Sequence, residues 1–95
     1  MYCPNSNEIE SIKLSVRFTS KTLNTEIRET INAALFDLET SGVNTETQPA
    51  AMVLQAVKSY CRAYYNYNGQ GDKWRSIYKE QRTKLELNSA GESNE

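Results

Sequence analysis

The chain contains no histidine. That removes the commonest general base and the commonest metal ligand together. It has only two cysteines, Cys3 in the N-terminal arm and Cys61 inside an apolar helical stretch. Two such residues make neither a disulfide framework nor a metal-binding pair, so both read as free thiols in a reducing compartment. No apolar run approaches the roughly 18–20 residues a membrane span needs. The first eight residues, Met-Tyr-Cys-Pro-Asn-Ser-Asn-Glu, carry neither a basic region nor an apolar stretch, so they do not read as a signal peptide. The expectation is a protein made in a cytosol that stays there or leaves within a larger particle. An excess of one charge is missing as well: 11 basic residues face 12 acidic ones, for a net charge of −1. That argues against a dedicated nucleic-acid binder and against a polybasic membrane anchor. The segment Gly69-Gln70-Gly71 has too few glycines for a phosphate loop, and no Lys-Ser/Thr follows it. These absences leave no cofactor site and no catalytic constellation in view, and the expectation is a protein that is not an enzyme.

The composition is that of an ordinary globular domain, 38% hydrophobic and 24% charged over 95 residues. A domain of this size buries roughly 60–65% of the surface its unfolded chain exposes. One modest core fits, and burial against neighbouring subunits would supplement it.

The pattern predicts an all-α fold, a small four-helix domain with a central buried third helix and a disordered C-terminal tail. The first helix is expected from about Asn7 to Val16, with Asn7 and Glu10 as a capping box and Ile9, Ile12 and Val16 on one face. The polar segment from Arg17 to Thr22 reads as a connection. Leu23 and Asn24 open the second helix, whose stripe is Ile27, Ile31, Ala34, Leu35 and Leu38. Ser41-Gly42 ends it, and Val43 folds back on its last turn. The third helix starts near Thr47-Gln48-Pro49 and runs to about Asn66. Its polar residues Gln55, Lys58, Ser59, Arg62 and Asn66 form one strip, and the rest of its circumference is apolar, which marks it as the hub. A loop over residues 66–71 uses asparagine and glycine for positive φ. Asp72 then caps a fourth helix reaching about Leu87, with Trp74, Ile77, Tyr78, Gln81 and Leu85 inward. Residues 1–88 form the domain, and 89–95 read as a flexible acidic tail.

Few residues suggest chemistry. The acid pairs Asp37 with Glu39 and Glu26 with Glu29 read as solvated charges on polar faces. Cys61 reads as a small buried hydrophobe. One cluster stands out, where Tyr60, Tyr64, Tyr65, Tyr67, Trp74 and Tyr78 interleave with Arg62, Lys73, Arg75 and Lys79. Such a mixture suits stacking on single-stranded nucleic acid, and it also suits protein interfaces. Tyr60, Tyr64, Trp74 and Tyr78 read as core, whereas Tyr65 and Tyr67 fit the inward stripe less well and read as candidates for exposed contact. The net charge favours a protein partner.

The order of elements and several short strings resemble the small head–tail connector proteins of tailed bacteriophages, also called adaptor or DNA-packaging proteins. The strings are Ile12-Lys13-Leu14-Ser15-Val16-Arg17, Asn24-Thr25-Glu26-Ile27 leading into Ile31-Asn32-Ala33-Ala34 and Asp37-Leu38, and Ser41-Gly42-Val43. They continue with Ala56-Val57-Lys58-Ser59-Tyr60-Cys61-Arg62-Ala63-Tyr64-Tyr65 and Trp74-Arg75-Ser76-Ile77-Tyr78-Lys79. The likeness covers about residues 9–87 and lies in order and spacing. Phe36 departs from it, placing a large aromatic where such sequences often carry a smaller or polar residue. The resemblance implies a virion protein at the head–tail interface, present in the host cytoplasm during assembly. It implies a homo-oligomeric ring, about twelve-fold, under the phage portal protein, which extends the DNA channel and offers a docking surface to a tail or stopper protein. DNA would pass without sequence-specific binding, and no membrane is involved. A closed head-to-tail ring needs two different faces per subunit. The candidates are the fourth helix with Tyr65, Tyr67, Arg75, Lys79 and Arg82, and the exposed side of the second helix with Arg28, Asn32 and Glu39. The alternative class is a small phage-encoded DNA-binding regulator, although the break from Gly42 to Thr47 is longer than a helix-turn-helix turn and carries an acid.

Overall fold

The computed structural model describes residues 1–16 and 24–93. Among these residues four α-helices follow one another, α1 (Ser6–Ser15), α2 (Asn24–Thr40), α3 (Ala50–Tyr64) and α4 (Gly71–Ser93), with a 3₁₀ turn at Tyr67–Gly69. The fold is a small all-α domain, and α1, α2 and α4 all pack on α3.

The cap of the first helix lies two residues earlier than its sequence suggests, at Asn5 instead of Asn7. The pattern Asn-x-x-Glu occurs twice, at Asn5–Glu8 and at Asn7–Glu10, and the first pair makes the capping box. Asn5 Oδ1 accepts the Glu8 amide at 2.8 Å, and Glu8 Oε1 accepts the Asn5 amide at 2.9 Å. Glu8 also accepts the Tyr2 hydroxyl, a partner that Glu10 lacks. Ile12 and Val16 are buried and Ile9 is half-buried, so the expected face holds. The expected polar connection and the Leu23 anchor lie outside the described residues.

The stripe of α2 is inside as expected: Ile27, Ile31, Ala34, Leu35 and Leu38 are all buried. Burying each of the larger ones contributes about 1.5–3 kcal/mol. Gly42 adopts φ +106°, where a side chain would be strained. Its amide donates to Glu39 O, and the Val43 amide reaches back to Leu38 O at 3.0 Å. This is a Schellman closure, and it drives Val43 into the core.

Pro49 stands just before α3 instead of inside its first turn. Val53, Ala56, Val57 and Cys61 are fully buried against the three neighbouring helices. The expected polar strip is broken at Ser59, which is buried. Its hydroxyl donates to Gln55 O at 3.1 Å, so the polar atom is satisfied within the helix. Met52 and Tyr64 are exposed instead.

Asn66, Asn68 and Gly69 supply the positive φ values of the turn into α4. Gly71 has another role. An added Cβ there would stand 2.7 Å from Asn66 Oδ1 and 3.2 Å from Ala63 O. The close approach lets Asn66 Oδ1 accept the Gly71 amide at 2.8 Å. Asp72 therefore does not cap α4; its carboxylate accepts from Arg75 at 2.9 Å. Tyr78 and Leu85 are buried, and Trp74, Ile77 and Gln81 are half-buried. The helix continues to Ser93, beyond the expected stop near Leu87. Ser89 is buried, and its Oγ accepts the Asn44 amide at 2.9 Å, a donor that the loop after α2 would otherwise leave unpaired. Of the expected tail, residues 94–95 lie outside the described residues.

Candidate functional site

Helices α2 and α4 both pack on α3 and run antiparallel to it, and side chains reach from one to the other. At one end Thr30 Oγ1 lies 2.8 Å from the Tyr65 hydroxyl, and Gly71 abuts Ala63. Further along, Asp37 of α2 accepts from Tyr78 at 2.5 Å and from Arg82 at 3.0 Å, both on α4. Between the two ties the helices leave a cleft floored by Tyr60 and Tyr64. One hollow, of about 360 Å³, has Glu26, Glu29 and Ala33 on its α2 wall. The other, of about 240 Å³, has Arg75, Lys79 and Arg82 on its α4 wall. One wall is thus acidic and the other basic.

The acid pairs divide between two roles. Glu26 and Glu29 are exposed. Asp37 and Glu39 are not the free solvated pair that their sequence suggests. Asp37 clasps α4, and Glu39 accepts the Thr45 hydroxyl at 2.7 Å. Burial, followed by the bond to Asp37, holds the Tyr78 hydroxyl proton on well beyond the usual phenol range. Burial also raises Tyr60 and Tyr65, and it pushes the Cys61 thiol up to about 12.

The aromatic cluster is used mostly inside the fold. Tyr65 turns inward and Tyr64 is the exposed member, 66% accessible. The row Val53–Val57–Cys61–Tyr65 runs at intervals of four, which carries Tyr65 onto the buried face. Tyr67 is half-buried and meets Trp74 edge-on at 6.3 Å. The Arg62 guanidinium covers both rings, 4.4 Å from Trp74 and 5.3 Å from Tyr67. Rings already stacked in this way offer little platform for bases.

Of the remaining candidates, Arg28 and Asn32 are exposed on the side of α2 that faces the N-terminal arm, where they border a hollow with Tyr2, Pro4 and Ile9. Arg75 and Lys79 are exposed on α4, and Arg82 is partly covered by its ion pair. Two residues that the sequence reading passed over as contacts are prominent. Phe36 is 68% exposed on the outer stripe of α2, among Glu29, Asn32, Ala33 and Thr40. Leu87 is 69% exposed on α4, four residues beyond Thr83 and eight beyond Lys79. Both stand off their helix's inward row, which is the signal that finds them.

Among the described residues no group of three or more histidine, cysteine, aspartate or glutamate side chains could hold a metal ion. No helix among them is long and apolar enough to cross a membrane. Compared with known proteins, the chain matches no family model, no curated protein and no solved structure.

Proposed function

We propose that the chain is a structural subunit that assembles with copies of itself, as the head–tail connector ring of a tailed bacteriophage. The observation that carries this reading is the placement of large exposed apolar side chains. Phe36 on α2, Leu87 on α4 and Leu14 on α1 stand exposed on separate helices, and Tyr64 lies between α2 and α4. A subunit with exposed apolar side chains on more than one face is suited to head-to-tail association, which closes into a ring when the rotation per step permits. The order of sequence strings supports a connector among such assemblies. In that role the ring sits under a portal, lengthens the DNA channel and presents its free surface to a tail or stopper protein. The near-neutral charge is compatible with DNA that passes without being gripped.

Light scattering on the full chain across a concentration range, with and without a candidate portal protein, tests this. The expected result is a mass well above the monomer that grows with concentration or appears on addition of the portal. Tight duplex-DNA binding with a steep salt dependence would instead support the regulator class, and unaided turnover of a small molecule would overturn both.

A further inference from the structure

We propose that the hollow between α2 and the C-terminal half of α3 receives the guanidinium of an arginine side chain from a partner protein, held by the rings of Tyr60 and Tyr64 and the carboxylates of Glu26 and Glu29. This goes beyond the assembly reading and does not depend on it.

Shape supplies the first argument. The hollow, of about 360 Å³, has the size of a site for a small group, and none of its described lining residues is basic. Its rings are fixed within the fold. Tyr60 packs edge-on against the buried Tyr78, with centroids 5.2 Å apart. Tyr64 stands at 84° to Tyr65, with centroids 4.9 Å apart. The Tyr65 hydroxyl is in turn 2.8 Å from Thr30 Oγ1. Two nearly perpendicular planes thus make a corner, and Tyr64 is its exposed side.

Charge supplies the second. Glu26 and Glu29 are one helical turn apart, so both carboxylates border the same hollow. Both are exposed, and neither makes an ion pair among the described residues. The facing wall of the cleft differs. Arg82 is held there by Asp37, and Arg75 by Asp72. With those pairs set aside, Lys79 alone faces two carboxylates, and the cleft favours a cation. The dipole of α2 favours an acid at Glu26 and fades by Glu29. The rings and the hollow beside them are a separate observation, which that dipole does not explain.

The chain itself shows which cation suits such rings. The Arg62 guanidinium lies 4.4 Å from the Trp74 ring, and that of Arg82 lies 5.6 Å from the Tyr78 ring, whereas the Lys73 ammonium stays 5.9 Å from Trp74. A planar guanidinium stacks on a tyrosine face and still aims its N–H groups at carboxylates. An ammonium is more strongly hydrated and gives up more water on entering.

Amide NMR of the isotope-labelled full chain, titrated with N-acetyl-arginine amide, is the test. Saturable shifts centred on Glu26, Glu29, Ala33 and Tyr64 are expected. The neutral citrulline analogue is expected to cause none, and the lysine analogue to bind about threefold more weakly or worse. Tyr64→Ala and Glu29→Gln are each expected to weaken binding of the arginine probe about fivefold. Both side chains are exposed, and circular dichroism confirms that the helices remain. Shifts that never saturate, or that spread over the whole surface, overturn the proposal. So does a citrulline or lysine analogue that binds as well as arginine, or an affinity that neither variant changes. None of these results bears on the ring reading, which light scattering decides separately.

Discussion

Tyr78 donates its hydroxyl proton to Asp37 at 2.5 Å, across 41 positions of sequence, and so ties α4 to α2. Arg82 donates to the same carboxylate oxygen at 3.0 Å. Tyr78→Phe removes one charge-assisted bond and leaves the ring's packing in place. Because Asp37 is partly exposed and can rehydrate, the expected loss is about 1–2 kcal/mol by urea denaturation. Asp37→Ala is expected to cost more, since it strands the buried Tyr78 hydroxyl as well as the Arg82 charge. Equal stability of all three proteins would show that the clasp has no structural role.

The thiols should separate cleanly. Cys3 is exposed and Cys61 is buried. A disulfide-exchange reagent at pH 8 is expected to titrate one equivalent at once, and the second only after denaturant is added. Two fast equivalents would mean that α3 is not enclosed at its midpoint.

Alkaline pH is expected to destabilise the domain. The fold keeps Cys61 neutral up to about 12, against an ordinary value of 9.0. The unfolded chain releases that proton first. The stabilisation is therefore complete below about pH 9 and declines as pH climbs toward 12, with Tyr78 acting in the same direction above 10. Between pH 8 and 10.5 the thiol alone accounts for about 2 kcal/mol. Cys61→Ala should flatten the pH 9–10 part of the slope in denaturation curves.

Gly71→Ala is expected to destabilise by about 2 kcal/mol although alanine is the better helix former. The new methyl meets Asn66 Oδ1 at 2.7 Å and the Ala63 carbonyl at 3.2 Å. Moving Asn66 aside gives up its bond to the Gly71 amide. A melting temperature equal to or above that of the parent would contradict the close approach.

Ser89→Ala should leave the Asn44 amide without a partner and cost about 1–2 kcal/mol. Hydrogen exchange at Asn44 is the direct measurement, and faster exchange is expected.

Much of this fold could be read before any coordinates. The α2 stripe follows from apolar spacing alone, and Gly42 with Val43 announces the stop, because both signals are local in the chain. What escaped has identifiable causes. Asn5–Glu8 and Asn7–Glu10 are equivalent as patterns, and only the distant hydroxyl of Tyr2 distinguishes them. Tyr65 reads as an outlier unless the row from Val53 is followed past Cys61. The Asp37–Tyr78 tie has no local signature at all. The helical state of residues 88–93 is opposed by composition and accompanied by the contact of Ser89 with Asn44. Of the candidate surface, Arg75 and Lys79 are exposed on α4, whereas Phe36 registered only as a departure from a resemblance.

The cleft above Tyr60 is fastened at both of its ends, by Thr30 with Tyr65 and by Asp37 with Tyr78. Its walls cannot swing like jaws about a hinge. The most exposed part is the phenol of Tyr64, and even that ring meets Tyr65 edge-on at 4.9 Å. Whatever settles there meets a mould of fixed width, and little motional freedom remains to be surrendered on arrival.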